Sequence, residues 1–344
     1  MIVPPADAPK RVEPVAPRDP EVWLRGSTHV HAKASGDSKT PIPEVIEWYE
    51  AHGYDFIVIT DHNQVSELDT AIDTAGKPFL RDPSSGLIVL AGIEWTQNIT
   101  GCVPAGDPSR KCRIHLNQLG VTARPRRKIK EWIDPAPRAR LAHYETALAA
   151  GKSLGGIVQL NHPQWFWGMN ADLLVTLAGR GIVLYEVWNK AFAKWNPGDA
   201  DHPSTEALWD AALARGATLW GVASDDAHHY NDTGKYPAGG SWVAVKARRE
   251  PQAILDALAA GRFYASTGVV LDRVEIERGD LVVEIAASDP ANAITFVEST
   301  SAKNTTRTTL PGKAARRPVP VNGYVRAVVE RVDGARAWTQ PARQ

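Results

Sequence analysis

From about residue 22 to 265, short runs of β-branched and aliphatic residues alternate with longer segments in which apolar positions recur every three or four residues. The runs "DFIVIT" (55–60), "GLIVLAGIE" (86–94), "GGIVQLN" (155–161), "GIVLYEVWN" (181–189) and "ATLWGVASDD" (217–226) are apolar almost throughout. That texture suits strands covered on both faces. Between them, "PIPEVIEWYEAHG", "RARLAHYETALAAG", "NADLLVTLAGRG", "PSTEALWDAALARG" and "EPQAILDALAAG" carry helical spacing, several opened by Pro or Ser and closed by Gly. Repeated β and α units predict an α/β barrel or a doubly wound parallel sheet over 22–266. After "GRFYASTG" the pattern shifts to short alternating strands, "VVLDRVEI", "DLVVEIAA", "AITFVEST" and "GYVRAVVERV". They predict a small all-β domain over 267–334, followed by a tail over 335–344.

Composition narrows the function classes. The chain has 344 residues, 43% of them hydrophobic, ample for one large domain and a small one. Lys plus Arg and Asp plus Glu are both 39, a neutral balance that argues against nucleic acid as the partner. The basic run "RPRRKIK" (124–130) reads as a solvated face before it reads as a phosphate contact. No apolar stretch reaches the roughly 18 residues of a membrane span, so the expectation is a soluble chain acting on a small molecule. Residues 1–21, rich in proline and charge, read as an extended lead-in without the apolar core of a secretory signal. They fit a cytoplasmic protein or a periplasmic one whose signal has been removed. The two cysteines, Cys102 and Cys112, flank one polar loop and either pair as a disulfide or stand there by coincidence. Two cysteines exclude a thiolate zinc site of the four-Cys type. The sequence sets no oligomeric state.

The chemistry lies at the strand ends. "STHVHAKASGD" places His29 and His31 two apart, hence on one face of a strand, with Asp37 beyond. "VITDHN" ends on Asp61 and His62, "LAGIEWT" on Glu94, and "YEVWN" contains Glu186. "RIHLNQLG" adds His115, "VQLNHPQW" adds His162, and "ASDDAHHY" adds Asp225, Asp226, His228 and His229. In a parallel barrel such ends gather on one face. Imidazoles and carboxylates without thiolates suit two or three divalent ions, Zn, Mn or Fe. His52, His143 and His202 fall in or beside helical segments, on the predicted solvated exterior. No GxSxG elbow, Walker loop or GxGxxG is present.

These pieces, in this order, resemble the PHP family, the polymerase and histidinol phosphatase superfamily of metal-dependent phosphoesterases, over about residues 23 to 265. Within it the chain is most similar to the CehA/McbA-like branch, through the strand-end Glu94, "HLNQLG" and "GRFYASTG". The resemblance implies a distorted (β/α)7 TIM-like barrel with a trinuclear site. It assigns His29, His31, Glu94 and Asp226 to one ion, Glu94, His115 and His162 to a second, and Asp37, His62 and His228 to a third. Many relatives read Ser-Asp-Gly where this chain reads "SGDS", which displaces the Asp37 carboxylate by one residue. The implied activity is hydrolysis of phosphomonoesters or phosphodiesters by a metal-activated hydroxide. The alternative, taken from the nearer branch, is hydrolysis of aryl carbamates or carboxylic esters. Asp61 and Asp225 stand beside ligands, either orienting imidazoles or capping turns, and His229 is placed as a proton donor or an exposed turn residue. Trp95, Trp165, Trp167 and Trp188 follow Glu94, His162 and Glu186 closely. A pocket lined by them suits a flat leaving group, unless a chain with 12 tryptophans simply packs its loops with them.

Overall fold

The structure, a computed structural model, describes residues 20–68, 76–125, 136, 138–231, 236–301 and 304–344. Nearly all of the lead-in and most of the basic run at 124–130 lie outside the described residues. The first part of the chain runs β1 (Val22–Val30), α1 (Ile42–Ala51), β2 (Phe56–Ile59), β3 (Phe79–Arg81), β4 (Ile88–Thr100), β5 (Lys111–Leu119), α2 (Arg140–Gly151), β6 (Ile157–Leu160) and α3 (Ala171–Gly179). Next come β7 (Ile182–Asn189), α4 (Thr205–Ala214), β8 (Trp220–Ser224), β9 (Trp242–Ala247), α5 (Pro251–Ala259) and β10 (Phe263–Ser266). The remainder is β11 (Leu271–Glu277), β12 (Asp280–Ile285), β13 (Ala293–Ser301), β14 (Asn304–Pro311), β15 (Ala314–Pro318), β16 (Tyr324–Glu330) and β17 (Arg336–Thr339).

The fold is mixed α/β, with one sheet of 14 strands, a second of three, and five α-helices among the described residues. The large sheet is not the uniformly parallel array of a (β/α)7 barrel. β1, β2 and β4 are parallel, as are β6, β7 and β8, but β5 is inserted antiparallel to both β4 and β6. The apolar run at 86–94 continues to Thr100 and returns directly as β5, with no helix between. The tip of that hairpin is closed by a Cys102–Cys112 disulfide. On the other side β9 pairs antiparallel with β1, and β10 antiparallel with β9. The sheet curls so that the chain after β8 returns to β1: Val30 bridges Ala227, and the His31 amide donates to the Ala227 carbonyl at 2.9 Å.

Burial explains the continuous runs. Phe56 to Ile59 are fully buried, each contributing about 1.5–3 kcal/mol of apolar transfer. The helices cover this core with one face: α3 buries Leu174 and Leu177, and α4 buries Leu208, Trp209, Ala212 and Leu213. Their starts are fixed by side chains, Asn170 accepting from the Leu173 amide and Ser204 from the Ala207 amide. His143, expected on the exterior, is buried on α2.

The C-terminal strands continue the large sheet. β14, β13, β16 and β17 pair in that order and join it through β17 against β10, while β11, β12 and β15 form the small sheet. Residues 336–339, expected as tail, are therefore a paired strand with Trp338 buried. A buried cluster ties this region to α4: Arg326 pairs with Asp210 at 2.7 Å and Glu206 at 2.8 Å, and the Tyr324 hydroxyl donates to Asp210. Among the described residues no helix is long and apolar enough to cross a membrane.

Candidate metal centre

Strand alternation delivers the side chains. On the β4–β5 hairpin, Glu94 pairs with Asn117 and Thr96 with His115, so Glu94, Thr96, His115 and Asn117 share one face. That face meets His29 and His31 at the end of β1, His62 after β2, His162 after β6, and Asp226 and His228 after β8. Glu94 is at the centre. Its Oε1 lies 2.9 Å from His115 Nδ1, 3.5 Å from His29 Nε2 and 3.6 Å from His162 Nε2. Its Oε2 lies 2.5 Å from His62 Nδ1 and 3.7 Å from His31 Nε2. Asp226 Oδ1 stands 3.2 Å from His29 Nε2 and 3.1 Å from His31 Nε2. Asp37 Oδ2 is 3.1 Å from both His62 Nε2 and His228 Nε2. The nine residues assigned to cations by resemblance are thus brought to one place. Their atoms form three overlapping groups: His29, His31 and Glu94; His62, Glu94 and His115; and His31, Asp37, His62 and His228.

The donor set fits cations on a structural test. His29 Nε2, His31 Nε2 and Asp226 Oδ1 are buried, face one another, and have no hydrogen-bond partner among the described residues. An unmet buried polar atom costs about 1–3 kcal/mol, so three around one point are tolerable only where something else satisfies them. Their outer nitrogens, by contrast, are held. His29 Nδ1 bonds Glu186 Oε1 at 2.8 Å, His31 Nδ1 the Ser35 hydroxyl at 2.8 Å, and His228 Nδ1 the Asp226 carbonyl at 2.8 Å. A ring whose far nitrogen donates outward turns a lone pair inward, the arrangement of a metal-ligating histidine. Asp37 differs from the rest in being about half exposed.

Electrostatics divide the imidazoles. Burial, together with His228 and His62 nearby, pushes His31 down to about 3, and burial pushes His115 down to about 4 against the pull of Glu94. His62 rises to about 10 because Glu94 and Asp37 outweigh its burial, and His29 rises for the same reason beside Asp226, Glu186 and Glu94. Glu94 and Asp226 are buried yet held well below the usual carboxylate range by the surrounding imidazoles. The backbone is strained here as well. His162 has φ 22° and Asp226 φ 54°, left-handed values that a side chain adopts only when its surroundings impose them.

The sequence leaves three residues, Asp61, Asp225 and His229, between a chemical role and a turn-building one. Asp61 accepts from the Ala32 amide at 2.7 Å and from the Ser66 hydroxyl, and Asp225 accepts from the amides of Gly239 and Gly240. Both are buried, which raises them to about 6 and about 7, and both hold loop backbone rather than orient an imidazole. His229 is half-buried, its backbone bridged to Pro237. The orienting role falls instead to Glu186, which is fully buried. Besides His29 it receives Gln159, the Ser224 hydroxyl, the His162 amide and Asn189. Asn161 was also missed; its amide donates to Glu94 Oε1 at 2.8 Å and to Asn117 at 2.9 Å.

The four tryptophans separate. Trp165 stands edge-on to His115 and His162, ring centres 5.4 and 5.2 Å apart, and Trp167 follows it, stacked on His202. Trp95 lies on the outer face of β4, bonded to Gln118, because it alternates with Glu94. Trp188 is turned toward Trp338 by a bulge in β7, where Glu186 and Trp188 oppose the consecutive Val222 and Ala223. Phe192, which carries no motif, lies tilted against His162 and Trp165, ring centres 4.5 and 4.4 Å apart, and Tyr236 lies 5.6 Å from His228. Together with Arg113, 5.2 Å above Trp165, they wall one side of the cluster.

No family model matches the chain, and no curated protein matches it. Among solved structures the chain is similar to a two-domain protein from Bacteroides vulgatus containing a predicted PHP-like metal-dependent phosphoesterase, at 16% identity and a TM-score of 0.47, covering 96% of this chain and 98% of that one.

Proposed function

We propose that the protein is a metal-dependent hydrolase of phosphomonoesters or phosphodiesters, built on a PHP-type distorted barrel and using two or three divalent cations. The observation that carries the reading is the set of three buried, mutually facing atoms, His29 Nε2, His31 Nε2 and Asp226 Oδ1, that make no hydrogen bond to any described protein group. His29, His31, Glu94 and Asp226 would hold one cation, Glu94, His115 and His162 a second, and Asp37, His62 and His228 a third. Bound there, divalent cations supply Lewis acidity and make water a nucleophile at neutral pH. The chain's own part is to aim the ligands. Glu186 fixes the His29 ring and, through the His162 amide, the backbone of a second ligand. Trp165, Phe192 and Tyr236 exclude water along one side and offer a flat surface to a leaving group.

That aromatic wall favours a second reading, hydrolysis of aryl carbamates or carboxylic esters at the same centre. Parallel assays of nitrophenyl phosphate, bis-nitrophenyl phosphate, nitrophenyl acetate and a naphthyl carbamate, with metal content measured on the same sample, separate the two. Turnover of either phosphate is expected. Turnover confined to the acetate or carbamate overturns the first reading, and a protein purified without transition metal overturns both.

A further inference from the structure

Outside the cluster, a cavity of about 360 Å³ lies between the disulfide-closed hairpin tip, Trp167 and the first turns of α3 and α4. Arg140, the first residue of α2, lines it while only 2% exposed. Its Nε donates to the Pro104 carbonyl at 2.9 Å and its Nη2 to the Lys111 carbonyl at 3.4 Å. Nη1 lies against Gly168, where an added Cβ would come within 2.6 Å, and no acceptor meets it among the described residues. No described carboxylate pairs with the guanidinium; Asp107 acts on it only from a distance. A buried cation so placed is costly, and its position at a helix N-terminus adds to the cost, because the helix dipole is positive there.

The rest of the wall is formed largely by helix starts. Asn170 caps α3, spending its oxygen on the Leu173 amide and keeping its own N–H groups, and Ala207 stands in the first turn of α4. The N-termini of three helices therefore approach one cavity that holds an unpaired guanidinium. His202 contributes its ring, with Nδ1 engaged by Asp199 at 2.8 Å, and Asp201 is the acid on the rim. Oxyanions are the ligands that such a combination of helix dipoles and an arginine fork satisfies.

We propose that this cavity binds a small oxyanion, a phosphate or carboxylate group, on the Arg140 guanidinium. It is independent of the cation centre. Isothermal titration of chelator-stripped full-length protein with inorganic phosphate, and separately with benzoate, tests it and distinguishes the two sources. One-to-one saturable binding of at least one of them is expected. Arg140→Gln should weaken that binding about tenfold or more, the loss of a charge-assisted pair. Because Arg140 also braces the hairpin tip, Ala207→Asp is the second variant. It sets a carboxylate on the cavity wall at a helical position that favours one, and should weaken binding as strongly without unfolding the chain. His115→Ala should leave binding unchanged. The proposal is overturned if neither anion binds, if binding survives both cavity variants, or if it is lost in His115→Ala.

Discussion

Replacing Glu186 by glutamine keeps the shape of the side chain and removes one acceptor oxygen. In the native structure Oε1 receives His29 Nδ1 at 2.8 Å, Gln159 at 3.1 Å and the Ser224 hydroxyl, while Oε2 receives the His162 amide at 2.5 Å and Asn189 at 2.8 Å. An amide must point its NH2 at one of these groups. Either way two N–H donors lose their acceptor inside a fully buried site, at about 1–3 kcal/mol each. One of the two belongs to His29 or to His162, both assigned cation ligands. The expected result is a loss of cation affinity of roughly 10- to 100-fold, the usual effect of removing an outer partner of a ligating histidine. Competition titration of Zn or Mn against a chromophoric chelator measures it, with thermal melts of the stripped protein as the control for folding. If Glu186→Gln binds cations within about twofold of wild type while melting normally, Glu186 does not aim the ligands and the reasoning fails.

The half-exposed Asp37 should be the weakest hold on a cation: Asp37→Ala is expected to lose about one metal per chain on desalting while keeping the others, read by elemental analysis against protein concentration. Phe192→Ala should raise KM for nitrophenyl phosphate roughly tenfold, about the worth of a lost aromatic contact, and leave a simple alkyl phosphate nearly unaffected; equal effects on both would discount the wall. Glu206, though buried, is drawn from 4.5 to about 2 by Arg326 and Arg307. A carboxyl whose folded value is depressed stabilises fully above its unfolded value and loses that contribution as pH falls toward the folded one. Glu206→Gln should therefore melt below wild type at neutral pH by a margin of up to about 3 kcal/mol that closes between about pH 5 and 2, and calorimetry on stripped proteins showing a constant gap would contradict this.

Much of the centre was legible because its signal is local. His29 and His31 sit at i and i+2, and His62, Glu94, His162, Asp226 and His228 sit at or just past the ends of apolar runs, where parallel strands converge, whereas His115 lies midway along the antiparallel β5. What was not legible depends on pairing. Nothing in "RIHLNQLG" states that it returns antiparallel to β4, nor in "ARAWTQ" that it joins β10. Trp95 could have been set aside from alternation alone, whereas Trp188 required knowledge of the bulge after Glu186. The sequence leaves Asp61 between orienting an imidazole and capping a turn and gives Glu186 no role, because both are carboxylates near a strand end, and only geometry shows which one touches an imidazole.

The hairpin that carries Glu94 on one strand and His115 on the other makes strand register a determinant of chemistry. Sliding one strand past the other by a single residue would exchange an acid or an imidazole for an indole or an aliphatic chain in the candidate metal centre. With Cys102 and Cys112 joined across the turn, the residues between them can change in number without disturbing that alignment, whereas one residue added between Glu94 and Cys102 would shift every pair below it. Tolerance to length variation should therefore change abruptly at the two cysteines.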